Sequence, residues 1–119
     1  MQPVFQQTIF LGPTLAANHT FLFKAPFDMQ LVAVSHVNTT ANAGTLKIGT
    51  SADDDGYLAA TNFGVSSTLG EVNTPAGFAG VLAGGQYPHI LKGTAVLVTI
   101  TDHVSHMANV SVVLTFMPG

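Results

Sequence analysis

The sequence contains no cysteine, no arginine and no tryptophan, and only three lysines among 119 residues. Without cysteine there is no disulfide framework and no thiolate zinc site. Without arginine the usual bidentate clamp on a carboxylate or phosphate is missing. Three lysines cannot build the basic face that neutralises a phosphate backbone, so nucleic acid is not an expected partner. Charged residues make up only 8% of the chain, with a net charge of -3. No apolar run approaches the roughly 18 residues of a membrane span. The first residues, Met1 to Gln7, carry no basic segment ahead of an apolar stretch, unlike a secretory signal. A membrane partner is therefore not expected either.

What is present is apolar and small. Hydrophobic residues account for 47% of the chain, and mean hydropathy is +0.43. That balance is opposite to a disordered composition, and the length suits one domain over residues 1–119. Surfaces suited to a soluble monomer carry about 25–35% charged residues. A chain this poor in charge is expected to have part of its surface covered by a partner.

The dominant period is two, the mark of half-buried strands. In Asn109–Met117, Val110, Val112, Leu114 and Phe116 share a face. In Thr94–Asp102, Val96, Val98 and Ile100 do the same. Shorter runs place Leu46 with Ile48, Phe21 with Phe23, and Phe5 with Ile9 and Leu11. Met29–Asn38 is apolar on both faces at first and reads as a central strand. Turn chemistry separates these runs at Gly12-Pro13, Ala25-Pro26, Asn42-Ala43-Gly44, Asp54-Asp55-Gly56, Tyr87-Pro88 and Lys92-Gly93. Many short strands with frequent turns predict an all-β sandwich or barrel. The only helical expectation is a single turn within Asp55–Phe63. The Gly-rich stretch Asn62–Gly85 predicts one or two poorly patterned edge strands and a long loop.

Few residues could carry chemistry. Asp53, Asp55 and Gly56 fit part of a calcium loop, but Ser51 stands where its first acid should be and Asn62 replaces the bidentate Glu. The alternative is a solvated acidic turn. Asp102, His103 and His106 sit in the loop between the two best strands, where they are either metal ligands or ordinary loop residues. His19, His36 and His89 are scattered singly. There is no G-x-S-x-G elbow, no pair of separated carboxylates and no phosphate-binding glycine loop. No catalytic residue, resident metal or cofactor is expected, and the chain does not read as an enzyme. Three Asn-x-Ser/Thr triplets, at Asn18, Asn38 and Asn109, are explained by composition.

The order of segments carries a resemblance. Phe21-Leu22-Phe23-Lys24-Ala25-Pro26-Phe27-Asp28 leads into Leu31-Val32-Ala33-Val34-Ser35. Leu46-Lys47-Ile48-Gly49-Thr50 and Asp53-Asp54-Asp55-Gly56-Tyr57-Leu58 follow, then Lys92-Gly93-Thr94 and a closing Val112-Val113-Leu114-Thr115-Phe116. This resembles the small capsid decoration, or cement, proteins and head-fibre pieces of tailed bacteriophages. The resemblance implies an antiparallel jelly-roll β-sandwich that forms homotrimers on the outer surface of the virion and bridges subunits of the major capsid protein. A head-fibre or tail component that binds host-surface carbohydrate is the alternative. For the partner interface, residues 1–7 are the expected element, either as an N-terminal arm that orders on a partner or as the start of a normal first strand. Within it, Gln2, Pro3, Val4, Phe5, Gln6 and Gln7 place apolar residues beside polar ones, with little to hold the extreme end.

Overall fold

The computed structural model of the chain describes residues 5–15, 17–78 and 86–119. Among them the alternating runs become nine strands: β1 (Phe5–Leu11), β2 (His19–Lys24), β3 (Met29–Val37), β4 (Thr45–Gly49), β5 (Leu58–Asn62), β6 (Gly70–Val72), β7 (His89–Ile90), β8 (Ala95–Thr101) and β9 (Val110–Pro118). One turn of 3-10 helix, Pro75–Gly77, lies between β6 and β7. The first sheet has the order β1-β9-β3-β6, with β7 also paired to β3; the second has the order β2-β8-β4-β5. Every ladder is antiparallel. The chain crosses repeatedly from one sheet to the other, and its first and last strands lie side by side. This is the jelly-roll arrangement of an antiparallel β-sandwich.

The inward faces follow from the pleat. Val96, Val98 and Ile100 of β8, Leu46 and Ile48 of β4, and Leu58 of β5 meet Ile9, Val34, Val112, Leu114 and Phe116 of the opposite sheet. Phe116 is fully buried, and Phe5 and Phe23 pack on its ring with centroids 5.6 Å and 5.8 Å away. β3 is central, as its composition predicts, lying between β9 and the pieces β6 and β7. Its register against β9 shifts between Leu31 and Ala33. One extra residue, Val32, turns the alternation over, so Leu31 and Val34 both face the core. The apolar character on both faces of Leu31-Val32-Ala33-Val34 is the sequence trace of that bulge.

Each turn signal falls between strands, and two of the resembling segments meet in space. The turn after β2 is tied to the Lys92-Gly93-Thr94 turn, because Ala25 N–H donates to Thr94 O, Gly93 N–H donates to Ala25 O, and Lys92 N–H donates to the Asp28 carboxylate at 2.8 Å. Gly93 has φ +87°, a left-handed conformation that glycine adopts without strain.

The backbone corrects one expectation and decides between two alternatives for another. The helical turn within Asp55–Phe63 is instead strand β5, which pairs with β4 through Ile48–Leu58, Leu46–Thr61 and Thr45–Asn62. Burial of Leu58 and ladder formation override the local preference of Leu58-Ala59-Ala60 for helix. Of the two readings of residues 1–7, Phe5, Gln6 and Gln7 follow the first-strand one: they open β1, paired with Phe116, Thr115 and Leu114. Of the Gly-rich stretch, Gly70–Val72 forms the edge strand β6, and residues 79–85 lie outside the described residues.

Candidate functional site

The acidic turn joins β4 to β5 and is closed by its own backbone. Thr50 N–H donates to Asp53 O at 2.9 Å, Asp53 N–H returns a bond to Thr50 O at 3.1 Å, and Gly56 N–H donates to Asp53 O. Asp54 pairs with Lys47 at 2.9 Å, an exposed contact of small energetic value. A hydrogen bond with Asp55, a little burial and the nearby charges of Asp55 and Asp54 together raise the Asp53 pKa above its ordinary value. Among the described residues, no group of three or more His, Asp or Glu is placed to hold a metal ion.

Asp102 organises the loop between β8 and β9. Its Oδ1 accepts from His103 N–H and Met107 N–H, both at 2.9 Å, and its Oδ2 lies 2.7 Å from His106 Nδ1. Burial raises its pKa, but the hydrogen bonds from His106 and from the two backbone N–H groups outweigh that, and the net shift is downward. His103 turns its Nδ1 to Ser105 N–H at 3.0 Å rather than toward Asp102 and His106. The sequence places these three residues together as candidate ligands. The fold uses them to shape a turn whose tip, Val104, is 91% exposed.

Two asparagines that the sequence marks only as a glycosylation triplet and a turn residue anchor this end of the sandwich. Asn38 is fully buried. Its Nδ2 donates to Asn42 O and Gly64 O at 3.1 Å and 3.0 Å, and its Oδ1 accepts from Thr40 N–H and from Thr40 Oγ1. Asn42 in turn donates to Ser105 O and His106 O. Three loops are thereby joined through two asparagine side chains. Burial also makes Asn38 inaccessible as a glycosylation site.

His36 of β3 is buried, and its Nδ1 accepts from Gly64 N–H at 3.0 Å. That bond leaves the proton on Nε2, which has no hydrogen-bond partner among the described residues. Phe63 packs edge-on to the ring, and Gly70 lies so close that a Cβ there would collide with the imidazole. Burial lowers the His36 pKa.

Of the residues expected at the partner interface, Gln2, Pro3 and Val4 lie outside the described residues. Phe5 packs against Phe23, Phe27 and Phe116, and Gln6 donates to Thr115 Oγ1 at 3.2 Å. Gln7 alone of the described three faces a cavity. That cavity, of about 310 Å³, opens between the edges of the two sheets and is lined by Gln7, Thr8, Ile9 and Phe10 of β1 with Phe21, Leu22 and Phe23 of β2. On its rims Phe10 is 64% exposed and Leu22 is 63% exposed.

The fold places the chain among the jelly-roll β-sandwiches. Compared with known protein families and with curated proteins, the sequence matches none. Among solved structures it is similar to a chain of the cyanophage Pam1 capsid asymmetric unit, with a TM-score of 0.56 and 17% identity over 98% of this chain and 84% of that chain. It also aligns with a cycloisomaltooligosaccharide glucanotransferase of Paenibacillus sp. complexed with cycloisomaltoheptaose. That match has a TM-score of 0.36 and 8% identity and spans only 18% of the enzyme, so it carries no argument. The capsid likeness is one of fold, and it extends over nearly the whole of this chain.

Proposed function

We propose that this chain is a structural protein of a tailed-bacteriophage virion: a decoration or cement protein that binds the major capsid lattice on the outer surface and stabilises the head. The observation that carries the reading is the jelly-roll fold shared, over 98% of the chain, with a chain of a cyanophage capsid. The segment order described above supports it independently. The role is adhesive rather than enzymatic, and the chain acts as a homotrimer. Its neutral Thr, Ser and Asn faces associate without the cost of desolvating charge. Several copies on one axis engage a repeating lattice together, so individually weak contacts accumulate. The segment Gln2–Gln7 is our choice for contact with the capsid.

The carbohydrate-binding alternative calls for aromatic platforms beside hydrogen-bonding groups. Both tyrosines are engaged internally. Tyr87 donates its hydroxyl to Asn73 O at 2.9 Å and packs edge-on to Phe78, while Tyr57 packs on the core. This favours the capsid reading.

The test is the heat resistance of shells. Shells lacking the protein are expected to rupture at a lower temperature than the same shells after it is added back. Identical rupture temperatures would remove the stabilising role.

A further inference from the structure

The two open sides of the sandwich are protected very differently. On one side the edges are β5, β6 and β7, of five, three and two residues. The β4–β5 ladder is broken by a register shift, and Glu71, Pro75 and Pro88 lie in or beside the edge strands. These are the devices that keep a sheet edge from pairing with another chain. On the other side stand β1 and β2, of seven and six residues, each in continuous register with its neighbour. They contain no proline, no acid and no bulge, and their sole charge is Lys24 at the end of β2. Between them lies the 310 Å³ cavity, with exposed Phe10 on one rim and exposed Leu22 on the other.

We infer that this unprotected side is the contact between copies of the chain, with the β1 rim of one copy seated on the β2 rim of the next. Among the described residues, the outer edges of β1 and β2 have no partner strand, so an occupant that supplies extended backbone can pair with their free N–H and C=O groups. From Phe5 to Leu11 and from His19 to Phe23 no Lys, Asp or Glu occurs. A charged partner would find no opposite charge there and would pay to desolvate its own. A second copy brings an equally neutral edge, and its exposed leucine covers the exposed phenylalanine while Thr8 provides a hydrogen-bonding hydroxyl. Because each copy offers both rims, the same contact repeats from copy to copy, and a rotation that closes it gives a symmetric ring. The inference rests on the self-association proposed above and assigns it a surface.

The test is native mass in solution for the wild type, Phe10→Asp, Leu22→Asp and the control Val104→Asp, which alters the exposed loop tip. The wild type and the control are expected to be multimeric. The two edge variants are expected to be monomers, with association at least 100-fold weaker and an unchanged circular dichroism spectrum. Thr8→Lys, at an exposed position of β1, provides a second variant should either apolar substitution impair folding. Amide exchange in β1 and β2 of the wild type should slow as protein concentration rises. Edge variants that keep the wild-type mass would overturn this surface while leaving self-association standing. A monomeric wild type would overturn self-association itself.

Discussion

Replacing Asn38 with Leu is expected to destabilise the fold by about 3 kcal/mol, because buried polar groups stripped of a partner cost about 1–3 kcal/mol each. The side chain is fully buried and makes four hydrogen bonds. Leucine fills nearly the same volume but leaves Thr40 N–H without its acceptor, and leaves the Thr40 Oγ1 proton and Asn42 O with only their long 3.5 Å bond to each other. Gly64 O is spared, since Asn38 N–H also donates to it at 2.9 Å. The effect should therefore fall on the 38–44 loop and, through Asn42, on the 102–107 loop. Urea denaturation checks this: the midpoint should drop with little change in slope. Thr40→Val, which removes a single hydroxyl, should cost about 1 kcal/mol. If Asn38→Leu matched the wild type, the loops would be held by something other than these bonds.

The second large effect is a loss of stability on mild acidification, centred on His36. Its pKa in the folded chain lies below the ordinary 6.5 because the ring is buried. The unfolded chain therefore takes up a proton at a pH where the folded chain does not. The stabilisation of the neutral form is fully present above about pH 6.5 and is lost as the pH falls toward the folded value, at a slope of up to about 1.4 kcal/mol per pH unit. Asp102 titrates in the opposite sense, with a lowered pKa, and its contribution fades only below about pH 4, so the two windows are separate. The only acidic residue on β6, Glu71, pairs with Ser35 on the neighbouring register position. Denaturant midpoints between pH 7.5 and 5 should decline for the wild type and flatten for His36→Asn. A wild-type midpoint constant over that range would show that the buried ring accepts a proton without penalty.

Much of the fold can be read directly from residue order, and the reason is the pleat. Val96, Val98 and Ile100, or Val110, Val112, Leu114 and Phe116, must share a face wherever the strand lies, and all of them are buried. The turn residues mark the strand ends because proline and positive-φ glycine act locally. β5 was hidden because Leu58-Ala59-Ala60 becomes a strand only when β4 is beside it. The bulge at Val32 reads simply as an apolar run until β9 fixes its register.

The candidate sites were less legible for a related reason. Asp102, His103 and His106 are visible as a cluster, yet Asp102 spends its carboxylate on backbone N–H groups, which no spacing rule records. Asn38 looks like any turn asparagine because its four bonds go to Thr40, Asn42 and Gly64, the last of these 26 residues away. The open edge is the clearest case. The uncharged alternation of β1 and β2 is plain in the sequence, but their position at the sheet edges among the described residues, and the cavity between them, follow from the order of strands in two separate sheets.

The most direct measurement of the central claim is cosedimentation of the purified protein with shells of the major capsid protein that lack it. The account predicts saturable binding at a fixed ratio of copies to capsid subunits, insensitive to moderate salt because so few charges are involved. Protein that stays in the supernatant at every concentration, or that binds purified tails or host glycans instead of shells, would contradict it.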